Sequence, residues 1–301
     1  MKPCTNRVFI IEPAAFTFND EAARSNHFQR PSNLSAEALN QQVKKEFHRL
    51  ADALKTQGIE VTVFQDTPDP VKPDAVFPNN WISVNNKRII TYPMCHPNRR
   101  TERRQDIIDV LMKQTGITTI TDLSVYEQSN RFLEGTGSIV FDHPNRLAYA
   151  CLSDRTHESV LQEVCSILDY QPVVFHAYDV NGLPIYHTNV MMSIAPDFAV
   201  ICLDSITDEL ERKRVEQHIL KTGKEIVALS QDQVNHFAGN MLTLEGTNDL
   251  VQVMSRQAYN SLRAKQLETI RKTTTPLPVD ITTIETIGGG SVRCMIAEIF
   301  D

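Results

Sequence analysis

Ser138-Ile139-Val140-Phe141 and Leu147-Ala148-Tyr149-Ala150 are two short apolar runs, followed by a helical pattern from about Thr156 to Leu168 and then by Val173-Val174-Phe175. Short apolar runs bounded by polar and turn-forming residues read as strands, and the longer periodic stretch reads as a helix. The unit is therefore β-β-α-β. The preceding block repeats it: Trp81-Ile82-Ser83-Val84, a turn at Asn85-Asn86, Arg88-Ile89-Ile90-Thr91-Tyr92, a helix from about Glu102 to Gln114, and Gly116-Ile117-Thr118-Thr119-Ile120. The following block does so again, with Asn189 to Ile194, Phe198 to Cys202, a helix from about Thr207 to Thr222, and Glu225 to Leu229.

Both ends of the chain fit the same grammar. Val8-Phe9-Ile10-Ile11 leads to a helix capped by Ser35, patterned through Ala38, Val43, Phe47, Leu50 and Leu54 and ended by Gly58, and Ile59 to Phe64 returns as a strand. The last block has Met241 to Leu244, Leu250 to Val253, a helix near Gln257 to Gln266, and a strand carrying Cys294; the N-terminal strand is available to complete the first unit. A period of roughly 45 to 60 residues marks a repeat architecture. One such unit cannot bury its own faces, whereas five around an axis share one core and leave a central mouth for a site. An ordinary α/β sheet with the same element order is the competing arrangement. No low-complexity segment or charged linker marks a boundary, so one domain over residues 1–301 is expected.

Composition excludes several classes of function. Lys and Arg total 30 against 37 Asp and Glu, a formal net charge of −7, and no basic stretch suggests a nucleic-acid surface. Met1-Lys2-Pro3-Cys4 runs into the first strand without an apolar signal core, and no apolar run approaches membrane-spanning length, so a cytoplasmic location is expected. Cys4, Cys95, Cys151, Cys165, Cys202 and Cys294 are scattered and form no C-x-x-C pair, which indicates free thiols rather than a disulfide framework or zinc site. No dinucleotide fingerprint or phosphate loop is present, and no cofactor is expected. Oligomeric state stays open, a homodimer included.

Four segments carry polar residues where packing has no use for them. Ile287-Gly288-Gly289-Gly290-Ser291-Val292-Arg293-Cys294 is a flexible run ending at a cysteine, and Met295, Ala297 and Ile299 then alternate as a short strand would. Ile185-Tyr186-His187-Thr188-Asn189-Val190 sets an imidazole and an amide on one side of an otherwise apolar strand. Arg131-Phe132-Leu133-Glu134-Gly135-Thr136-Gly137-Ser138 places a carboxylate before a Gly-x-Gly run, and Phe77-Pro78-Asn79-Asn80-Trp81 places two amides before the only tryptophan. Each alone reads as a loop or a satisfied core residue. All four fall at the leading element of their block, which a ring of units brings to one mouth. A thiol, an imidazole and a carboxylate together describe nucleophilic catalysis by cysteine: Cys294 attacks, His187 moves the proton, and Glu134 orients the ring and stabilises its cation.

These motifs, in this order and spanning almost the whole chain, resemble those of the guanidino-group-modifying enzymes: arginine deiminases, dimethylargininases, amidinotransferases and arginine dihydrolases. The likeness is nearest to the bacterial citrulline-utilisation hydrolases. It implies an α/β fold, a fivefold pseudosymmetric α/β propeller (pentein) of ββαβ units, with Cys294 as nucleophile, His187 as general acid/base and Glu134 as its partner. Asn19 matches a substrate-contacting loop position, and Arg99 and Arg100 resemble the arginines that hold the substrate's α-carboxylate. Thiolate formation is expected to depend on His187 or on the substrate, because no lysine lies nearby in sequence.

Two departures bear on the substrate. Deiminases carry aspartates where Asn80 and Asn189 stand. Each carboxylate at about 4 Å from a guanidinium contributes roughly 4 kcal/mol of attraction at an effective dielectric of about 20, before desolvation. Amides forfeit most of that, but offer a donor and an acceptor that suit the neutral ureido group of citrulline. Hydrolysis of L-citrulline to ornithine, ammonia and CO2 through an S-carbamoyl enzyme is the expected reaction. Arginine dihydrolases of the same superfamily also carry asparagine, so arginine deiminase, dihydrolase and amidinotransferase activities remain alternatives. A propeller that only binds a partner is the non-enzymatic one.

Overall fold

The computed structural model describes residues 2–300. Strands β1 (Arg7–Glu12) and β2 (Glu60–Gln65) are joined by helix α1 (Ala36–Thr56). The second unit comprises β3 (Ile82–Asn85), β4 (Arg88–Thr91), helix α2 (Gln105–Thr115) and β5 (Thr119–Asp122). The third comprises β6 (Val140–Asp142), β7 (Leu147–Cys151), helix α3 (Glu158–Leu168) and β8 (Gln171–Phe175). In the fourth, β9 (Met192–Ile194) and β10 (Phe198–Ile201) precede helix α4 (Glu209–Lys221) and β11 (Glu225–Ala228). The fifth has β12 (Leu242–Glu245), β13 (Leu250–Ser255), helices α5 (Arg256–Ser261) and α6 (Ala264–Arg271), and β14 (Thr275–Val279). A short strand β15 (Ala297–Glu298) from the far end of the chain pairs with β1, completing five three-stranded sheets.

Every sheet has one plan. Its middle strand pairs antiparallel with the leading strand and parallel with the strand that follows the helix. The helix supplies the crossover that a parallel pair requires. Leading strands of different sheets also touch, β15 against β3, β6 against β9, and β9 against β12. The polar mouth expected from the repeat thus lies where these strands gather.

Local sequence explains the elements that build the units. Along α1, Leu39, Val43, Phe47, Leu50 and Leu54 recur at helical spacing and are all buried, each stabilising the fold by roughly 1.5–3 kcal/mol through removal of its side chain from water. Leu39 takes the place expected of Ala38, which is exposed. The Ser35 Oγ accepts the Ala38 N–H and satisfies one free donor of the first turn. Between β3 and β4 the turn residues are Asn86 and Lys87, both at positive φ (51° and 58°), as a tight hairpin with right-handed strand twist requires. The turn expected at Asn85-Asn86 is therefore one residue later.

Three further expectations are corrected. Cys294 does not sit on a strand but in a single helical turn, Val292–Met295, and the strand beyond it belongs to the first sheet. Likewise, Asn189 lies in a turn of helix, Thr188–Met191, with β9 beginning only at Met192. The fifth sheet is closed instead by β14, Thr-Pro-Leu-Pro-Val, whose two prolines hide it from a strand reading yet are tolerated because it is an edge strand. Among the described residues no helix is long and apolar enough to cross a membrane.

Candidate active site

A short turn precedes the leading strand of each unit, and these turns bring the polar residues together. They comprise Pro78–Asn80, Gly135–Ser138, Thr188–Met191, Val292–Met295 and a hydrogen-bonded turn at Phe237 to Asn240. Their stacking requires glycine at two points. Gly135 has φ +48°, and a Cβ there would lie 2.3 Å from the Asn79 carbonyl oxygen; a Cβ on Gly137 would lie 2.5 Å from Asn80 Nδ2 and 2.8 Å from the His187 ring. Glu134 and His187 cap two of these turns, so their side chains leave the backbone beside one another.

His187 Nε2 is 2.8 Å from Glu134 Oε2, and both residues are buried. Glu134 Oε1 accepts the Cys95 backbone N–H at 3.0 Å, while Arg155 and Arg99 approach Oε2 at 3.5 and 3.9 Å. Burial alone would raise the Glu134 pKa; Arg155, the His187 hydrogen bond and Arg99 overcome it and hold the carboxyl well below the usual range. Burial pushes His187 down to about 4, against the pull of Glu134. An ionised carboxylate can only accept, so Nε2 carries the proton and Nδ1 of the neutral ring is left as an acceptor.

The Cys294 sulfur is surrounded by amides. Asn189 Nδ2 lies 3.4 Å and Asn240 Nδ2 lies 3.3 Å from Sγ. Asn80 faces the same region, its Oδ1 accepting from Arg99 at 2.7 Å and its Nδ2 donating to Asn79. Arg99 is in turn held by Glu102 through two bonds of 2.8 Å. Burial pushes Glu102 up to about 7 even so.

Cys294, His187, Asn80 and Arg99 line one cavity of about 10 Å³, walled by Phe77, Tyr186 and Gly288 to Gly290. That is room for about one water. Asn26 and Gln29 close it by donating to the Gly288 and Gly289 carbonyls, and Tyr186 Oη donates to Gly289 at 2.6 Å. Surface pockets of about 420 and 370 Å³ lie elsewhere, but neither contains Cys294, His187 or Glu134. Among the described residues no cluster of three or more His, Cys, Asp or Glu could hold a metal.

Of the residues singled out in the sequence, Glu134, Asn189, Arg100 and Asn19 do not line the cavity; Glu134 reaches it through His187 and Asn189 through Cys294. Arg100 turns to the Met94 and Cys95 carbonyls and to Glu127. Asn19 stands behind the wall, donating to Asp74 Oδ2 at 2.7 Å. Asp74, Arg155 and Asn240 were not singled out. Asp74 lines the cavity with Oδ1 buried and without a hydrogen-bond partner, and burial raises its pKa against Arg99 and Asn19. Arg155 also lines it, stacked 4.8 Å over the Tyr186 ring and tied to Ser25 and the Ala22 carbonyl. Asn240 carried a readable signal, since it precedes β12 as Asn80 precedes β3.

The chain has five β-β-α-β units and a buried Cys, His and Glu, and it belongs to the superfamily of guanidino-group-modifying enzymes. A family model described as eukaryotic N,N dimethylarginine dimethylhydrolase matches residues 12–301, and the chain belongs to that family. It is accordingly an enzyme of the hydrolases that act on C–N bonds of guanidino compounds. Solved structures share the fold at low identity. The N-terminal domain of ArgZ, a cyanobacterial arginine dihydrolase, bound to product, is 17% identical with a TM-score of 0.74, covering 98% of this chain and 97% of that one. AgrE in complex with ornithine and NAD+ is 16% identical with a TM-score of 0.76, covering 98% and 39%. DDAH from Pseudomonas aeruginosa, a serine-for-cysteine mutant complexed with citrulline, is 13% identical with a TM-score of 0.68, covering 99% and 100%. The chain spans 40% of the longer ArgZ chain. A search of curated proteins finds no match.

Proposed function

We propose that the chain hydrolyses L-citrulline to L-ornithine, ammonia and CO2 in the cytoplasm, as one domain whose five units close into a propeller. The observation that carries this reading is the charge balance at the thiol. The Cys294 sulfur is met by the neutral amides of Asn189 and Asn240, with Asn80 in the same cavity, while the Glu134 carboxylate is hydrogen-bonded to His187 and approached by Arg155 and Arg99. A guanidinium would gain little there, whereas a ureido C=O and NH2 find donors and an acceptor. The amino-acid end fits the other wall: the unpartnered Asp74 oxygen accepts an α-ammonium, and Arg155 and Arg99 face the α-carboxylate. Segment 19–30 must move for a substrate of that size to enter.

Chemistry follows from the proton positions. His187 Nδ1 takes the thiol proton, and the Cys294 sulfur attacks the ureido carbon. The C–N bond to the terminal NH2 breaks, and ammonia leaves with the proton from His187. An S-carbamoyl enzyme remains, still carrying the ornithine chain. Water, deprotonated by His187, attacks the same carbon; the C–S bond breaks, thiolate returns, and the released carbamate decomposes to ornithine and CO2. Glu134 stabilises the imidazolium in both steps.

Arginine dihydrolysis is the second reading, favoured by the ionised Glu134 and by Asp74, which leave the cavity some attraction for a cation. Incubation with citrulline, arginine and dimethylarginine, following ammonia and ornithine with and without glycine as amine acceptor, separates these activities. Ornithine and one ammonia per citrulline is the expected result. Turnover of arginine with citrulline as sole product would overturn the assignment.

A further inference from the structure

We infer that Asn240 is a positioning residue that holds the Cys294 thiolate through its side-chain N–H. The inference rests on Cys294 being the nucleophile. Asn240 is fully buried in the turn before β12, and its orientation is fixed from both sides. Its Nδ2 donates to the Asn189 carbonyl at 2.9 Å, a group that can only accept, and its Oδ1 accepts the Arg293 backbone N–H at 3.0 Å, a group that can only donate. The second hydrogen on Nδ2 is thereby aimed at Sγ, 3.3 Å away. Oδ1 lies at 3.7 Å from the same sulfur and can take the S–H of the neutral thiol. One amide thus serves the thiol through its oxygen and the thiolate through its nitrogen, with no movement between the two states.

The consequence is chemical as well as structural. Two donors, from Asn189 and Asn240, converge on Sγ, and hydrogen bonds to a charged acceptor are stronger than those to a neutral one. Asn240 also bonds the backbone of Arg293, next to Cys294, and that of Asn189, so it fixes the nucleophile relative to the other donor. Thiolate stabilisation by fixed neutral dipoles suits a site that must also release the sulfur from an acylated state.

The test is the pH profile of Cys294 alkylation by iodoacetamide, read by peptide mass for wild type and for Asn240→Asp. The aspartate keeps the shape and an oxygen for the Arg293 N–H, but turns an acceptor toward the sulfur. The pH midpoint of alkylation is expected to rise by one unit or more, with the rate at pH 7 falling at least about tenfold. A folded Asn240→Asp variant with an unchanged midpoint overturns the inference, even if its melting temperature falls, because a merely structural role moves stability alone. Should that variant not fold, Asn240→Ala is read in the same way. Cys294→Ser separates the two levels: if it retains turnover, the nucleophile assignment fails, whereas an inactive Cys294→Ser beside an unshifted Asn240→Asp removes only the role of Asn240.

Discussion

Asn189→Asp puts a carboxylate where the structure has an amide nitrogen 3.4 Å from the Cys294 sulfur. Between a thiolate and a carboxylate at that distance, the repulsion is about 5 kcal/mol at an effective dielectric of about 20. If reorganisation halves it, about 2.5 kcal/mol remains, a loss of roughly 70-fold in kcat/KM for a neutral substrate. A guanidinium beside the new carboxylate offsets the repulsion, so arginine loses far less. The ratio of kcat/KM for citrulline over arginine is therefore expected to fall by roughly 70-fold. Steady-state ammonia release with each substrate, on protein shown by circular dichroism to be folded, measures it. A ratio that moves by less than about threefold would refute the claim that neutral amides around the thiol select a neutral substrate.

Two other changes are expected to act at separate places. Glu134→Gln leaves the hydrogen-bonding shape beside His187 but removes the charge that stabilises its imidazolium, and kcat is expected to fall by at least about 100-fold; a loss below tenfold would argue against the pairing. His143, bonded through Nδ1 to Tyr170 Oη at 2.7 Å, is pushed down to about 3 by burial and by Arg293. The unfolded chain binds that proton below about 6.5 and the native state does not, so stability is full above that pH and is lost as pH falls toward 3. Against His143→Gln, the wild type is expected to lose about 2–3 kcal/mol between pH 6.5 and 4.5, read by urea denaturation. Equal slopes for both proteins would contradict the buried neutral imidazole.

How far the sequence reached depends on the length of each signal. Helix α1 was legible because Leu39 to Leu54 repeat over several turns, and the five-unit order because every block shows the same switch from strand to helix period. The turns Thr188–Met191 and Val292–Met295 read as strands because four residues are too few to show any period. Proline at 276 and 278 concealed β14. Cys294, His187 and Glu134 were legible through equivalent placement, a test that Asn240 also passes. Asp74 and Arg155 were not, since each is a lone charge in a loop, ordinarily solvated, and only the fold brings both to one buried cavity.

Everything turns on a covalent bond between Cys294 and the ureido carbon. Acid-quenching the enzyme during turnover of citrulline, digesting it and weighing the peptides tests that bond directly. An adduct of citrulline less ammonia is expected on the peptide bearing Cys294 and on no other cysteine. Steady turnover with that peptide unmodified, or with the adduct on Cys95 or another thiol, would contradict it.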